Sequence, residues 1–315
     1  MDKSSLELGH ADSTAVPNFL IIGAPKAATT FLHDSLSQHP EVFLTLKKET
    51  RFFAFEGKEI DPNDPVNRKV VTTFEEYLAA FRNSEDYKAR GEASPVYFGA
   101  PAVPQKIHKR FPSMKFIAIV RQPVERAYSH YMFARQKGFE PIDATFRDAL
   151  STPTIRFKGF LRERPYLVDS MYGKSYRQYL EFFDKTQFLF LRYEDLRNDK
   201  LETLRRVERF LNISNFPGYD FSNRLAASGE PTSRILYDLA GSRVLRVAMR
   251  SIMSRRAANV AQSKMKALFL RKKQISIDDW EWAMSYFSND ILEFEELSDL
   301  DLSAWQHPVD FLNYD

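Results

Sequence analysis

The sequence of 315 residues contains no cysteine. A disulfide framework, a thiolate metal site and a cysteine nucleophile are therefore excluded. The sequence also lacks an apolar run of about 18 residues, the length that a helix needs to cross a bilayer. The first sixteen residues are polar, without the apolar core of a signal peptide. These absences predict a cytoplasmic protein with no transmembrane segment.

Glycine is also scarce, with 11 residues, and proline contributes 16, whereas phenylalanine alone contributes 27. A chain with this much apolar side-chain surface can offset the entropy cost of folding. No repeat or low-complexity tract interrupts it. We therefore predict a disordered tail over residues 1–16 and one folded domain over residues 17–315.

Short apolar runs alternate with helical patterns along the chain. Alternation of this kind is typical of an α/β fold, in which helices cover a mainly parallel central sheet. Three apolar runs, each with the helical pattern that follows it, are 18–22 with 29–37, 115–120 with 124–135, and 187–191 with 201–211.

The turn after the first apolar run has the composition of an anion-binding loop. It leads directly into a helix, and the backbone N–H groups at a helix N-terminus attract phosphate or sulfate. A lysine supplies full charge, two alanines allow close approach of the backbone, and two threonines supply hydroxyl donors. The predicted anion-binding residues are Lys26, Ala27, Ala28, Thr29 and Thr30.

The loop differs from that of nucleotide triphosphatases, whose pattern is G-x-x-x-x-G-K-[ST]. If that pattern starts at Gly23, Ala28 stands in place of its second glycine and Thr29 in place of its lysine. Two alternatives remain open on these residues alone. One is an ordinary strand-to-helix turn with an exposed lysine, and the other is a small-molecule kinase, which would need acidic magnesium ligands.

Two motifs resemble the donor site of sulfotransferases that use 3′-phosphoadenosine 5′-phosphosulfate (PAPS). Pro25-Lys26-x-x-Thr29-Thr30 is similar to their 5′-phosphosulfate loop, although many members have glycine at the position of Ala28. The segment R-x-P-x-x-R-A-x-S-x-Y, which begins at Arg121, is similar to their 3′-phosphate motif. The resemblance implies that Arg121 and Ser129 bind the 3′-phosphate and that the product is 3′-phosphoadenosine 5′-phosphate (PAP).

Further similarities extend from about Phe19 to Trp305 and are greatest to bacterial members related to the Golgi heparan-type branch. The resemblance implies a single-domain, three-layer α/β fold related to nucleotide kinases, with a central parallel sheet and no metal. It also implies that a turn closes over the donor and contributes Gly229, Thr232, Ser233 and Arg234.

The same resemblance suggests where the chemistry occurs. In heparan-type enzymes a glutamate shortly before an aromatic pair is the general base, and Glu49 occupies that position. Lys26 would then stabilise the departing phosphate oxygen. The alternative for Glu49 is a surface carboxylate paired with a neighbouring lysine, and His33 and His130 are rival bases. Neighbours expected to bind the acceptor are Lys48, Arg51 and Phe53.

The region 234–273 carries eleven lysines and arginines against one acid, Asp238. It is either a solvated helical face or a basic helical flap that attracts an anionic donor, an acidic acceptor or a membrane surface. The acceptor itself is expected to be a hydroxyl or amine of a small molecule, glycoside or lipid, and no nucleic-acid partner is expected. A non-catalytic PAP-binding protein is a further alternative, which the residues Lys26, Glu49, Arg121 and Ser129 argue against.

Overall fold

The computed structural model describes most of the chain up to residue 221 and shorter segments beyond it. The described residues are 16–64, 67, 69–141, 143–157, 160–221, 230–231, 239–240, 242–254, 257–258, 261–262, 265, 268, 270–271 and 274–308. The chain groups into two compact units. The first contains residues 1–121, 169–224 and 289–302, and the second contains 122–168, 225–288 and 303–315. The single domain over 17–315 stays a prediction, and the predicted tail over 1–16 lies outside the described residues except for residue 16.

The first unit is built on a five-stranded parallel sheet with strand order β2-β3-β1-β4-β7. Strand β1 is apolar and buried throughout, and β4 is apolar and buried after Lys115, as expected for a parallel sheet covered on both faces. The strands of the described residues are β1 Phe19–Gly23, β2 Val42–Leu44, β3 Ala89–Ala93, β4 Lys115–Val120, β5 Thr154–Phe157, β6 Phe160–Glu163, β7 Phe188–Arg192, β8 Glu230–Pro231 and β9 Leu270–Arg271.

Helices follow the strands as the sequence patterns predict. The α-helices of the described residues are α1 Thr29–Leu36, α2 Phe52–Phe55, α3 Phe74–Ala79, α4 Val103–Arg110, α5 Pro123–Lys137, α6 Phe146–Ser151, α7 Tyr172–Leu180, α8 Tyr193–Asn198, α9 Lys200–Leu211, α10 Arg243–Arg250 and α11 Ile277–Ser298. The predicted α/β class is confirmed. No helix within the described ranges is long and apolar enough to span a membrane.

The strand order places a ligand crevice at the carboxyl ends of β1 and β4. From β1 the chain runs towards β2 on one side, and from β4 it runs towards β7 on the other. Open α/β sheets bind ligands where the direction of winding changes in this way. The Ala24 N–H donates to the Ile119 carbonyl at 2.6 Å, which ties the turn after β1 to the end of β4.

The second unit contains α5, α6 and the antiparallel hairpin of β5 and β6. A capping box begins α6, because Thr145 accepts from the Asp148 N–H while the Asp148 carboxylate accepts from the Thr145 N–H. The buried Glu140 carboxylate accepts two hydrogen bonds from Arg164, at 2.9 and 2.6 Å. A paired, hydrogen-bonded carboxylate of this kind is one that an interior tolerates.

Candidate active site

The turn after β1 has the backbone of an anion cradle. Lys26 and Ala28 both adopt left-handed conformations, with φ of 71° and 69°. Helix α1 then begins at Thr29 without a side-chain cap. An uncapped helix N-terminus leaves backbone donors for an anion. Ala27 and Thr29 are buried, whereas Lys26 and Ala28, which precede them, are partly exposed.

Arg121 directly follows β4, the strand next to β1, and a tyrosine fixes its backbone. The Tyr172 hydroxyl donates to the Arg121 carbonyl at 2.9 Å. The guanidinium of Arg121 lies over the ring of Tyr193, 4.8 Å from its centroid. Stacking of this kind orients a guanidinium, the side chain best suited to bind an oxyanion through two N–H groups.

Ser129 belongs to the second unit, where it is buried on α5. Gln122 begins this helix and accepts from the Glu125 N–H at 2.9 Å. Arg126 is fully buried and donates to the Tyr166 carbonyl at 2.7 Å. The second arginine of the motif thus has a packing role within its unit.

Glu49 lies in a tight turn that follows β2. Both Glu49 and Arg51 have left-handed backbones, with φ of 60° and 56°. The Glu49 N–H donates to the Ala93 carbonyl at 3.0 Å, so the turn lies at the carboxyl end of β3. The Arg51 guanidinium donates to the Glu49 carboxylate at 2.8 Å. This turn and the cradle therefore lie at the same edge of the sheet.

Lys48 connects the turn to the cradle. Its ammonium donates to the Thr30 hydroxyl and lies 4.0 Å from the Glu49 carboxylate. Burial lowers the pKa of Lys48 below its ordinary value, and the charges of Glu49 and Asp34 oppose this change. A cation is thereby placed between the predicted anion site and the predicted base.

A small cleft opens beside the Glu49 turn. Its volume is about 210 Å³, and it is lined by Lys48, Glu49, Arg51, Lys69 and Val70. Sequence reasoning did not find Lys69, because that residue follows a polar loop with no recognisable motif. Three cations around one carboxylate make a cleft suited to a polar or anionic acceptor.

Phe53 does not contribute to this cleft. Its ring is fully buried and packs against the rings of Tyr77, Tyr97 and Phe111. We had expected Phe53 to bind the acceptor, whereas this position makes it part of the core beneath the turn. Lys48 and Arg51 remain as acceptor-side candidates.

The two rival histidines have structural contacts. His33 Nε2 lies 3.4 Å from the Thr45 carbonyl, and its Nδ1 lies 3.2 Å from Asp34. His130 Nδ1 lies 3.2 Å from the Arg126 guanidinium, and its ring meets Tyr166 edge to face. These contacts occupy ring nitrogens that a general base needs.

Part of the prediction lies outside the described residues. The donor-closing residues belong to this part, namely Gly229, Thr232, Ser233 and Arg234. Among the residues that are described, no group of three or more histidines and acids could hold a metal ion.

Sequence reasoning also missed a buried carboxylate, Glu92, in β3. It accepts from the hydroxyls of Thr50, Ser94 and Tyr97 at 2.7, 2.8 and 2.7 Å. Burial raises the pKa of Glu92, and these three hydrogen bonds oppose the increase. The signal in the sequence was an acid among small residues in the segment Gly91-Glu92-Ala93, which carries too little apolar character to predict a buried strand.

These features define an α/β protein whose anion cradle, stacked arginine and acidic turn lie at the carboxyl edge of one parallel sheet. The sequence model described as the sulfotransferase family matches residues 17–217. The chain therefore belongs to the sulfotransferase family, as the two motifs predicted. The activity of this chain and its co-substrate, PAPS, stay predictions.

Two curated relatives belong to the heparan-type branch. Human bifunctional heparan sulfate N-deacetylase/N-sulfotransferase 2 is 28% identical over 226 residues, which cover 69% of this chain and 25% of that protein. Mouse heparan sulfate glucosamine 3-O-sulfotransferase 5 is 29% identical over 202 residues, which cover 63% of this chain and 54% of that protein. The matched region thus spans about a quarter of the length of the first relative and about half of the length of the second.

A solved structure supports the fold. The crystal structure of a sulfotransferase from Alicyclobacillus acidocaldarius superimposes with a TM-score of 0.68 at 24% sequence identity. The match covers 93% of this chain and 99% of that chain. The predicted fold related to nucleotide kinases is therefore confirmed as the sulfotransferase fold.

Proposed function

We propose that this protein transfers the sulfuryl group of PAPS to a hydroxyl or amine of a small molecule, glycoside or lipid. The acceptor oxygen or nitrogen forms a bond to sulfur while the bond from sulfur to the 5′-phosphate oxygen breaks. PAP leaves with that oxygen, and the acceptor proton passes to a base. The observation that carries this proposal is the Lys48 bridge, which joins the anion cradle to the acidic turn through Thr30 and Glu49.

Each part of the site has a role in this transfer. Lys26 and the backbone from Ala27 to Thr30 hold the 5′-phosphosulfate, and Lys26 stabilises charge on the leaving oxygen. Arg121 and Ser129 bind the 3′-phosphate. Glu49 takes the proton, since its carboxylate is 35% exposed and faces the cleft that Lys48 and Arg51 line.

Calorimetry and a transfer assay test this function. PAP is expected to bind in the micromolar range, about 8 kcal/mol, with a chelator present. Transfer from ³⁵S-labelled PAPS is then measured with a sugar glycoside, an aminosugar glycoside and a long-chain alcohol. Failure to bind PAP would refute the proposal, and binding of ATP that requires magnesium would instead favour the kinase. Binding of PAP with neither transfer nor hydrolysis of PAPS would indicate the non-catalytic alternative.

Helix α10 supports a second proposal, contact with an anionic membrane surface. Val244, Val247 and Ile252 are exposed to 80%, 60% and 84%, although they are apolar. They lie in the region 234–273, whose sequence contains eleven basic residues and one acidic residue. Apolar side chains on a short basic helix are typical of segments that lie in a membrane interface.

Vesicle sedimentation tests the membrane contact. The protein is expected to sediment with vesicles of phosphatidylcholine and phosphatidylserine but not with phosphatidylcholine alone. Replacing Val244 and Val247 with serine should abolish this binding, whereas Leu201→Ser on α9, an exposed leucine outside the region, should not. If the valine substitutions do not change binding, or if the protein binds neither type of vesicle, the membrane contact is refuted and the helix is a solvated face. The cytoplasmic location stays a prediction, which cell fractionation can test.

A further inference from the structure

The buried Glu92 carboxylate belongs to a hydrogen-bond relay that ends at the Glu49 turn. Its three hydroxyl partners come from Thr50, Ser94 and Tyr97. Each of these hydroxyls also accepts a hydrogen bond from a backbone N–H. Ser94 Oγ accepts from the Arg51 N–H at 3.0 Å, Thr50 Oγ1 accepts from the Phe52 N–H at 3.4 Å, and Tyr97 Oη accepts from the Phe53 N–H at 3.3 Å.

The direction of these bonds follows from the hydrogen-bonding capacity of each group. A hydroxyl has one proton, so a hydroxyl that accepts from a backbone N–H still has that proton to donate. All three protons are directed at Glu92, which as a carboxylate can accept every one of them. The relay thus depends on an acceptor-only group at position 92.

The three N–H groups at the end of the relay are consecutive and begin α2. This helix has no capping side chain at Arg51, so its first donors need other acceptors. The relay supplies them and fixes the backbone next to Glu49. It also fixes Arg51, whose guanidinium holds the Glu49 carboxylate at 2.8 Å.

We infer that Glu92 is a positioning residue, which acts through Thr50, Ser94 and Tyr97 to hold Glu49 and Arg51 at the acceptor cleft. The inference rests on the proposed role of Glu49 as the base. Glu92 itself touches no substrate, because its side chain is fully buried. Its effect is therefore on turnover and not on PAP affinity.

The variant Glu92→Gln tests this role with little change in volume. The amide nitrogen cannot accept, so at least one hydroxyl of the relay loses its acceptor. Amide hydrogen exchange at Arg51, Phe52 and Phe53 is expected to accelerate roughly tenfold or more. Release of PAP, with water or an alcohol as acceptor, should fall by roughly tenfold or more, while the PAP dissociation constant stays within about twofold.

Two controls separate positioning from a general loss of stability. Ser84→Ala removes another fully buried serine hydroxyl, which donates to the Phe81 carbonyl, and should change neither the exchange at Arg51–Phe53 nor turnover. In a Glu49→Gln background, Glu92→Gln should cause no further loss of rate, because the group that it positions is already absent. Ser94→Ala is the second variant and should give a smaller change in the same direction.

The outcomes are distinguishable. Unchanged exchange at Arg51–Phe53 in Glu92→Gln would overturn the inference, as would faster exchange with unchanged turnover. An additive loss in the Glu49→Gln background would do the same. A wild-type protein that binds no PAP refutes the proposed function instead, and exchange at the three amides then decides whether Glu92 holds the turn.

Discussion

The Arg51 guanidinium lies 2.8 Å from the Glu49 carboxylate, although only Thr50 separates the two residues in the chain. Side chains two residues apart share one face even in an extended strand. Here both residues have left-handed backbones, so the chain turns at this point while the two charged groups stay in contact. The turn therefore presents an ion pair to the cleft and buries Thr50 beneath it.

Replacing Glu49 with glutamine tests its role as the base. Glutamine keeps the size of the side chain but cannot take a proton, so turnover should fall by roughly 10²- to 10⁴-fold. PAP affinity should stay nearly unchanged in calorimetry, because the donor-binding residues are intact. Glu76→Gln, which alters an exposed carboxylate 3.7 Å from Lys47, is the control and should retain activity.

Lys26→Ala should behave differently and weaken both binding and turnover, since the proposed role of its ammonium is to hold both the anion and the leaving oxygen. Should Glu49→Gln turn over at a near wild-type rate, the base lies elsewhere, and His33 and His130 become the next residues to replace.

Arg121→Ala tests recognition of the 3′-phosphate. Loss of a charge-assisted hydrogen bond should weaken PAP binding by about 1.5 to 3 kcal/mol, or roughly 10- to 150-fold. Adenosine 5′-phosphate has no 3′-phosphate, so its affinity should change little. Arg209→Ala, an exposed arginine paired with Glu202, is the matched control. Equal losses for both nucleotides would contradict the assignment.

Tyr77 and Tyr97 form a matched pair for stability measurements. Both are fully buried, but the Tyr77 hydroxyl has no hydrogen-bond partner among the described residues, whereas that of Tyr97 donates to Glu92. Tyr77→Phe should be neutral or stabilising by up to about 1 kcal/mol in urea unfolding, because it removes a buried unsatisfied group. Tyr97→Phe should destabilise by about 1 to 3 kcal/mol. The reverse order would show that the Tyr77 hydroxyl is satisfied in solution.

Ala28→Gly tests the strain in the anion cradle. Ala28 has a φ of 69°, a conformation that costs a residue with Cβ about 1 to 2 kcal/mol. Glycine removes that cost but gains freedom in the unfolded chain, so a net stabilisation of about 0.5 to 1 kcal/mol is expected. Ala27→Gly, at a buried position without a positive φ, should destabilise by a similar amount. Thermal unfolding of both variants in parallel measures these differences. An Ala28→Gly variant that is less stable than the wild type would contradict the prediction.

Glu41 should contribute to stability in a pH-dependent way. Hydrogen bonds from Lys88 and from the Ser214 backbone lower the pKa of Glu41 from 4.5 to about 2. Because the pKa is depressed in the folded state, the contribution is fully present above pH 4.5 and is lost as the pH falls towards 2. The difference in unfolding free energy between wild type and Glu41→Gln should therefore shrink over that range.

The sequence predicted the sheet where apolar runs were long and ended in clear turns, as at Phe19–Gly23 and Lys115–Val120. It did not predict β3, because Ala89–Ala93 contains an arginine, a glycine and a glutamate. That strand reads as polar, yet its Glu92 is buried and accepts from the nearby Ser94 and Tyr97 and from Thr50, 42 positions away in the chain. Partners this far apart in the chain leave no local pattern.

The candidate site shows the same division. Motifs with fixed spacing located the cradle and Arg121, since each follows a strand directly. The sequence offers Lys47 and Lys48 as partners of Glu49, but it does not reveal which of the two reaches Thr30. Left-handed backbones at Lys26, Glu49 and Arg51 were equally hidden, since none of these residues is a glycine.

The position of β3 between β1 and β2 has a consequence for the order of folding. Both neighbours precede β3 in the chain, so β2 cannot join the sheet until Ala89–Ala93 has been synthesised and inserted. The Glu49 N–H then finds the Ala93 carbonyl, and the hydroxyls of Ser94 and Tyr97 arrive with the same segment. Long-range pairing of this kind closes late, because it carries the entropy cost of a long loop. A ribosome-bound chain that ends before Ala93 would therefore carry the Glu49 turn without the strand that gives it its shape.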